Sequence, residues 1–546
     1  MITTNALIIP SAKNINNGIT QFGEIPGIIY PINGRVVFDY LKEQYASYCS
    51  SLDIVCYENQ TLVQQRLEDY SDDKIKIHCL KELRDLGYSV YFAIKDIDYP
   101  IIINFADTIV FDNVLDYLDD VFFYQEDYMS NVWTFYDQED GVLKNIYDKK
   151  IPDDKIQKSF FVGVFRIVHT KYFKKCLKEF LSNPVEGIST FYSALMKYSE
   201  KHPFKSILTN NWCDVGHSNK YHSSQLGVKE RVFNYIKIDK NRGILKKTSD
   251  AKEKFIGEIN WYLKLPSDIE YVRPRIFGYS TEYSSPFLNM EYYAYTTVHE
   301  LYLYGDLEYS AWNDIFKRIL FVLNDFKRYT VIGNHIVESL KDIYLNKTLD
   351  RLSLLGKNDR FKVFFENPIT VNGNKYKALY EISELLKKYI PLYLYNCQEF
   401  NIIHGDLCFA NILIDDKLSF IKVIDPRGKF GYFDIYGDRR YELAKLFHSV
   451  DGKYDYIIKD MYTLRYDASS SNIAFKIKCS KSNEDIYNSF YSVFAEEIDG
   501  KLKEIELIEA LLFLSMIPLH SESFEHQLVM LGTGLDILDR VVDIKI

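Results

Sequence analysis

Residues 402–414 read IIHGDLCFANILI, and FIKVIDPRG follows at 420–428. Short apolar runs bounded by polar and turn residues read as buried strands. Here the strand ends carry a carboxylate (Asp406), a carboxamide five residues further on (Asn411) and a second carboxylate (Asp425). Hard oxygen ligands of this kind suit Mg²⁺, and a carboxylate in a loop can accept the proton of an acceptor hydroxyl. Moving a phosphoryl group from ATP needs those parts and, in addition, a cation on the donor phosphates. Loops at the ends of adjacent strands would gather Asp406, Asn411 and Asp425 around one nucleotide.

HGDLCFAN resembles the H-G-D-x-x-x-x-N catalytic loop of the aminoglycoside phosphotransferase and choline kinase superfamily, a branch of the protein-kinase-like fold. The resemblance implies Asp406 as catalytic base, Asn411 and Asp425 as metal ligands, and His404 as a brace for the loop. GDRRYELAKLFHS resembles the helix start that follows in that family. There Asp438 would tie the catalytic loop in place, with Glu442 where the family often has Asp. Upstream, Lys246 or Lys247 in GILKKTSD suits the strand lysine that holds the α- and β-phosphates, and Lys247 is favoured. Glu258 in the next helix suits its ion-pair partner. NMEYY (289–293) falls at the hinge, which puts the backbone of Glu291 to Tyr293 near the adenine. The segment ERVFNYIKID lacks a G-x-G-x-x-G phosphate loop.

Bulk properties frame these motifs. A chain of 546 residues exceeds what one core usually supports. Apolar residues make up 47% and charged residues 26%, the balance of an ordinary folded protein. A net charge of −10 makes backbone-driven binding of nucleic acid a poor expectation. The eight cysteines are scattered and form no C-x-x-C pair, which argues against a zinc site or a disulfide framework. MITTNALIIPSAKN has no basic segment ahead of an apolar core, and ALLFLSMIPL is too short to span a bilayer. A cytoplasmic protein without membrane insertion, acting on small molecules, is expected. The oligomeric state is not legible.

The first part of the chain alternates strand-like and helical text. ALIIP (6–10), LDIVCYE (52–58), SVYFAI (89–94), PIIINFAD (100–107) and FFVGVFRIV (160–168) read as strands. RVVFDYLKEQYASY (35–48) reads as a helix, and a hairpin is expected around Asp140-Gly141. Such alternation predicts an α/β domain with a mixed, mainly parallel sheet. Asp107 and Asp214 at strand ends can share a Mg²⁺ bridging a nucleotide α-phosphate. For Asp107 a helix N-cap is the plainer alternative.

ADTI, WCDVGH, DKKIP with VGVF, and IPGIIYPINGRVVFDYL resemble segments of the sugar-phosphate nucleotidyltransferases, which have a glycosyltransferase-A-like fold. The resemblance implies Asp107 and Asp214 as metal ligands and Lys149 or Lys150 on the acceptor phosphate, with CTP, UTP, dTTP or GTP as substrate. The family's Gly-rich opening loop is here IIPSAKNINNG, and Gly27 replaces the motif lysine; Lys13 could substitute as the phosphate cation.

The expected organisation is therefore a nucleotidyltransferase-like domain (1–228), a kinase-like N-lobe (229–306) and a helical C-lobe (307–546). The expected function is bifunctional. A kinase uses ATP and Mg²⁺ to phosphorylate a sugar or small alcohol, and a nucleotidyltransferase converts a phosphate to an NDP-activated donor of the kind that feeds surface polysaccharide. The alternative is an active kinase whose N-terminal half only binds a sugar nucleotide.

Overall fold

The computed structural model describes residues 5–15, 22–32, 34–68, 70, 72–149, 156–217, 234–239, 241–467, 471–480 and 483–546. The chain divides into two compact units, Met1–Val228 and Lys229–Ile546.

Unit 1 is built on a nine-stranded sheet. Its strands are β1 (Asn5–Ser11), β2 (Cys49–Cys56), β3 (Ile75–Cys79), β4 (Ile101–Asn104), β6 (Val121–Tyr128), β7 (Thr134–Glu139), β8 (Val142–Asp148), β9 (Gln157–Ile167) and β10 (Lys205–Leu208); β5 (Thr108–Val110) lies outside it. The order β3-β2-β1-β4 is parallel throughout. Beyond β4 the sheet turns antiparallel through β9, which pairs with β4, β6 and β7. The hairpin β7–β8 turns at Asp140-Gly141, both at positive φ (48° and 83°). An aromatic core of Phe122, Tyr136, Phe161, Phe165 and Phe191 packs under the antiparallel half.

One expected strand is a helix. Residues 86–94 form helix α2 (Leu86–Ile94); helix α1 is Val37–Tyr45. Asp85 caps it by accepting the Tyr88 N–H at 3.1 Å, and the helix packs into the buried core. A short apolar run does not distinguish a buried helix from a buried strand by periodicity; the cap and the surrounding core decide.

Unit 2 opens with a four-stranded antiparallel sheet in the order β12-β13-β15-β14. These are β12 (Asn234–Asp239), β13 (Ile244–Ser249), β14 (Ile276–Ser280) and β15 (Phe287–Glu291). Helix α3 (Lys252–Lys264) links β13 to the rest and ends ahead of Pro266. The remainder is largely helical and includes α4 (Tyr309–Lys327), α5 (Lys347–Gly356), α6 (Arg439–Val450), α7 (Leu502–Met516) and α8 (Phe524–Asp539). A further four-stranded sheet, formed from residues 369–371, 374–376, 462–467 and 472–477, was not anticipated. No helix among the described residues is long and apolar enough to cross a membrane.

Candidate active sites

In unit 1 the end of β4 delivers Asp107. The following residues enter β5, so Asp107 sits in a strand-to-strand turn and not at a helix N-cap. β5 pairs antiparallel with β11 (Trp212–Asp214), which sets Asp214 opposite Thr108. The Val215 N–H donates to the Asp107 carbonyl at 2.8 Å and closes the arrangement. Gly216 lies between the two side chains. A methyl group there would stand 2.8 Å from Asp107 Oδ2 and 3.3 Å from Asp214 Oδ1.

Burial pushes the Asp107 carboxyl up to about 6, and the charge of Asp214 adds to the shift. His217 meets Asp214 through its ring, Nδ1 to Oδ2 at 2.9 Å, and through its backbone N–H to Oδ1 at 2.9 Å. Burial opposes the imidazolium, but the hydrogen bond to Asp214 and the charges of both aspartates hold its pKa above the ordinary value. Two crowded carboxylates with a single imidazole against them form a charge-deficient oxygen pair, and this donor set fits a hard divalent cation.

A cleft of ≈ 410 Å³ adjoins the pair, and Lys13, Asp107, Lys149 and Gly216 line it. Lys150 lies outside the described residues. The segment Leu83–Leu86 lines the cleft as well and was missed in the sequence. Its signal was the capping residue Asp85, which also accepts the Thr190 N–H at 2.7 Å. His217 was missed too, although it is only three residues from Asp214. Gly27 backs the cleft: a methyl group there would lie 2.9 Å from the Ala106 carbonyl oxygen, so this backbone leaves no space for the lysine of the resembled motif.

In unit 2 the cation is Lys247, the inner of the two candidates on β13 and only 2% exposed. Its Nζ lies 2.8 and 2.9 Å from the Glu258 carboxylate oxygens and 2.7 Å from Asp425 Oδ1. Burial alone would depress the ammonium, yet Asp425 and Glu258 outweigh it and hold Lys247 charged. The three meet because α3 and the DPRG loop approach closely. Gly428, at φ +65°, is so near that a Cβ would fall 1.9 Å from the Gly257 carbonyl oxygen. No residue with a side chain fits that contact.

Asp406 and Asp425 follow strands of different sheets, contrary to the adjacent-strand expectation. The strand before Asp406 (Phe400–Ile402) pairs with Thr330–Val331 and Tyr436–Gly437. The strand before Asp425 (Ile421–Val423) pairs with Ile412–Ile414. Backbone bonds join the loops instead: Arg427 N–H to the His404 carbonyl at 2.9 Å, and Ile424 N–H to the Asn411 carbonyl at 3.0 Å. The Asn411 amide donates to the Asp406 carbonyl at 2.8 Å, which leaves its side-chain oxygen available as a ligand. Oxygens from Asn411 and Asp425 are of the type Mg²⁺ takes.

Glu442, not Asp438, clasps the Asp406 loop. Its carboxylate accepts the backbone N–H groups of His404 (2.9 Å) and Gly405 (2.7 Å). Burial still pushes Glu442 up to about 7. Asp438 caps α6 through the Arg440 N–H at 2.9 Å, holds the Arg440 guanidinium, and accepts the Tyr344 hydroxyl at 3.0 Å. The shorter Asp438 side chain serves the helix start, and Glu442, one turn along, reaches the loop. His404 is fully buried edge-on to Trp261, and burial lowers it to about 4, so it is a neutral brace. Lys445 Nζ sits 2.8 Å from Asp406 Oδ1. Burial would raise Asp406, but Lys445 and Arg427 hold its carboxyl well below the ordinary range. Glu442 and Lys445, three residues apart on a helix buried on all sides, were the overlooked sequence signal.

At the hinge, the Glu291 N–H is taken by the Arg275 carbonyl and the Tyr292 N–H by the Gly243 carbonyl, both at 2.8 Å. The Tyr293 hydroxyl donates to Glu291 Oε2 at 2.8 Å.

No protein-family model matches the sequence, and no curated protein is significantly similar to it. Solved structures do align. HddC from Yersinia pseudotuberculosis is 15% identical over 41% of this chain and 99% of its own, with a TM-score of 0.32. CTP:phosphocholine cytidylyltransferase from Streptococcus pneumoniae is 15% identical over 41% of this chain and 100% of its own, with a TM-score of 0.33. The inositol-1-phosphate CTP transferase from T. maritima is 14% identical over 42% and 99%, with a TM-score of 0.32.

Proposed function

We propose that the chain is a bifunctional transferase. Unit 2, read as a kinase-like fold, moves the γ-phosphoryl group of ATP to the hydroxyl of a small molecule. Unit 1 joins a phosphate to a nucleoside monophosphate unit and releases pyrophosphate. The observation that carries the proposal is the buried Lys247 bridge, 2.8 Å from Glu258 and 2.7 Å from Asp425, beside a loop that presents Asp406 and Asn411. A positioned cation, two oxygen ligands and an ionised carboxylate make up the set that phosphoryl transfer requires.

In unit 2 the acceptor oxygen attacks the γ-phosphorus. The bond from that phosphorus to the bridging oxygen breaks, ADP leaves with the electron pair, and Asp406 takes the hydroxyl proton. Asn411 and Asp425 would hold Mg²⁺, which when bound neutralises the donor phosphates. Lys247 steadies the α- and β-phosphates, and Glu291 to Tyr293 flank the base. In unit 1 a phosphate oxygen attacks the α-phosphorus of an NTP, with Lys13 and Lys149 lining the cleft that would receive it. Asp107 and Asp214 would hold the divalent cation. The NDP-activated product belongs to the class of donors used in surface polysaccharide assembly.

Gly27 supports a second reading, in which unit 1 binds a sugar nucleotide without turnover, because its backbone leaves no space for a phosphate-binding lysine. Two assays separate the readings: ADP formation across small alcohols and sugars, and pyrophosphate release from CTP, UTP, dTTP and GTP with a panel of organic phosphates. Pyrophosphate release that disappears in Asp107→Asn establishes the bifunctional enzyme. ADP formation without any pyrophosphate release establishes the second reading.

A further inference from the structure

The wall beside Asp406 is cationic beyond anything the transfer step uses. Lys445 pairs with Asp406 at 2.8 Å. Arg427 Nη1 donates to the Tyr441 hydroxyl at 2.8 Å, and Lys347 Nζ lies 5.9 Å from the Tyr441 ring centroid. Arg351, one turn along α5 from Lys347, donates only to the Ser515 carbonyl, at 3.0 Å. Four cations thus gather around one tyrosine, and of them Lys445 pairs with a carboxylate, Asp406. Among the described residues, Lys347, Arg351 and Arg427 form no ion pair with any carboxylate.

These groups are surrounded by protein yet remain partly open. Arg427 is exposed, and Lys347 and Arg351 are half-buried. Burial pushes Lys347 down to about 8; Tyr441 opposes the shift, and the neighbouring Arg427, Arg351 and Lys445 add to it. Burial and Arg427 likewise lower Arg351. Burial and neighbouring like charge disfavour the charged forms of Lys347 and Arg351, a cost that an anionic ligand would offset. The backbone supports a dedicated role. A π-helical turn, Lys341–Asn346, runs directly into α5 at Lys347, and Tyr344 in that turn is tied to Asp438 at 3.0 Å. Such turns are rare and often mark functional positions. Donor phosphates already have Lys247, on the side of Asp425.

We propose that the acceptor in unit 2 is an anionic alcohol, bearing a carboxylate or phosphate that Lys347, Arg351 and Arg427 bind while its hydroxyl faces Asp406. This rests on the kinase reading and narrows it. The transfer is unchanged: the hydroxyl oxygen bonds to the γ-phosphorus, ADP leaves, and Asp406 receives the proton. Cationic acceptors such as choline or an aminoglycoside would meet repulsion at this wall.

The test uses the full chain with Mg²⁺ and AMP-PNP. Calorimetry measures binding of D-glycerate, gluconate and sn-glycerol 3-phosphate against glycerol, glucose and choline, and ADP release is followed with ATP. At least one anionic compound should bind roughly tenfold or more tighter than its neutral counterpart, and be phosphorylated. The carboxylate and phosphate members distinguish the two headgroups. Lys347→Met and Arg351→Gln should each weaken that compound roughly 10- to 100-fold, the loss expected for one charge-assisted contact. AMP-PNP affinity should hold, and Lys347→Arg should retain acceptor binding. Preference for glycerol, glucose or choline, absence of anion binding to the AMP-PNP complex, or loss of AMP-PNP affinity in both variants would each overturn the proposal. Failure of the wild-type chain to bind AMP-PNP would overturn the kinase reading and this inference together. AMP-PNP bound without an anionic acceptor would overturn the inference alone.

Discussion

Asp107 and Asp406 are both half-buried aspartates at the ends of apolar strands, and their surroundings treat them in opposite ways. Asp107 faces Asp214 and is pushed up to about 6 by burial and by that second carboxylate. Asp406 faces Lys445 and Arg427, which overcome burial and keep it ionised. Among the described residues, the first site sets one imidazole, His217, directly against two carboxylates and is suited to take further positive charge from a divalent cation. The second already has positive charge from the protein, and its carboxylate is kept ionised. Position at a strand end therefore does not set what a carboxylate can do; the neighbours brought to it by the fold do.

The sharpest way to divide the two is to remove each in turn. Asp406→Asn should lower phosphoryl transfer about 10²- to 10⁴-fold while AMP-PNP binding holds. Asp107→Asn and Asp214→Asn should abolish pyrophosphate release and leave ADP formation intact. Parallel assays of ADP and pyrophosphate on each variant check this, and loss of both activities in either variant would break the division.

Next in size is Lys247→Met. It removes the Lys247 ammonium from the carboxylate of Glu258, 7% exposed. Removing one member of a buried ion pair costs about 3–5 kcal/mol, so chemical denaturation should show a loss of that order. A variant as stable as wild type would show that the bridge is not buried in solution.

Gly27→Lys restores the residue of the resembled motif and tests whether unit 1 can be returned to it. The contact with Ala106 predicts destabilisation by about 1–3 kcal/mol and no gain in pyrophosphate release. Faster release with unchanged stability would show that the backbone yields.

The smallest expected change is a shift in a pH profile. Asp406 must be ionised to accept a proton. In the wild type its lowered pKa keeps it so across the acid range, and activity is lost only below the ordinary carboxylate range. Lys445→Met removes the main opposing charge and makes its setting resemble that of Asp107. The acid limb of kcat/KM for ADP formation should then move upward, toward the Asp107 value of about 6. An unmoved limb would assign the compensation to Arg427 alone.

Much of this was legible in the text of the chain. The β7–β8 hairpin was marked by Asp140-Gly141, and α3 by its spacing and Pro266. Lys247 and Glu258 meet as their order suggested. The run SVYFAI was misread because its apolar pattern suits either a strand or a helix, and the cap at Asp85 was the stronger signal. Asp438 was given the task that Glu442 performs because spacing alone does not say how far a side chain reaches from a helix start.

By itself, the sequence determined which chemical groups are present and in what order: aspartates and an asparagine at strand ends, a lysine on a strand, a glutamate on the next helix. Those are local facts, fixed by residue type and short-range pattern. Tertiary structure decided which charges compensate which. Lys347 and Arg351 lie some fifty to eighty residues from Asp406 and Arg427 in the chain. They join one electrostatic cluster because α5 and α6 both pack on α7. Charge interactions depend on distance and burial in space, and neither is written in the separation along the chain.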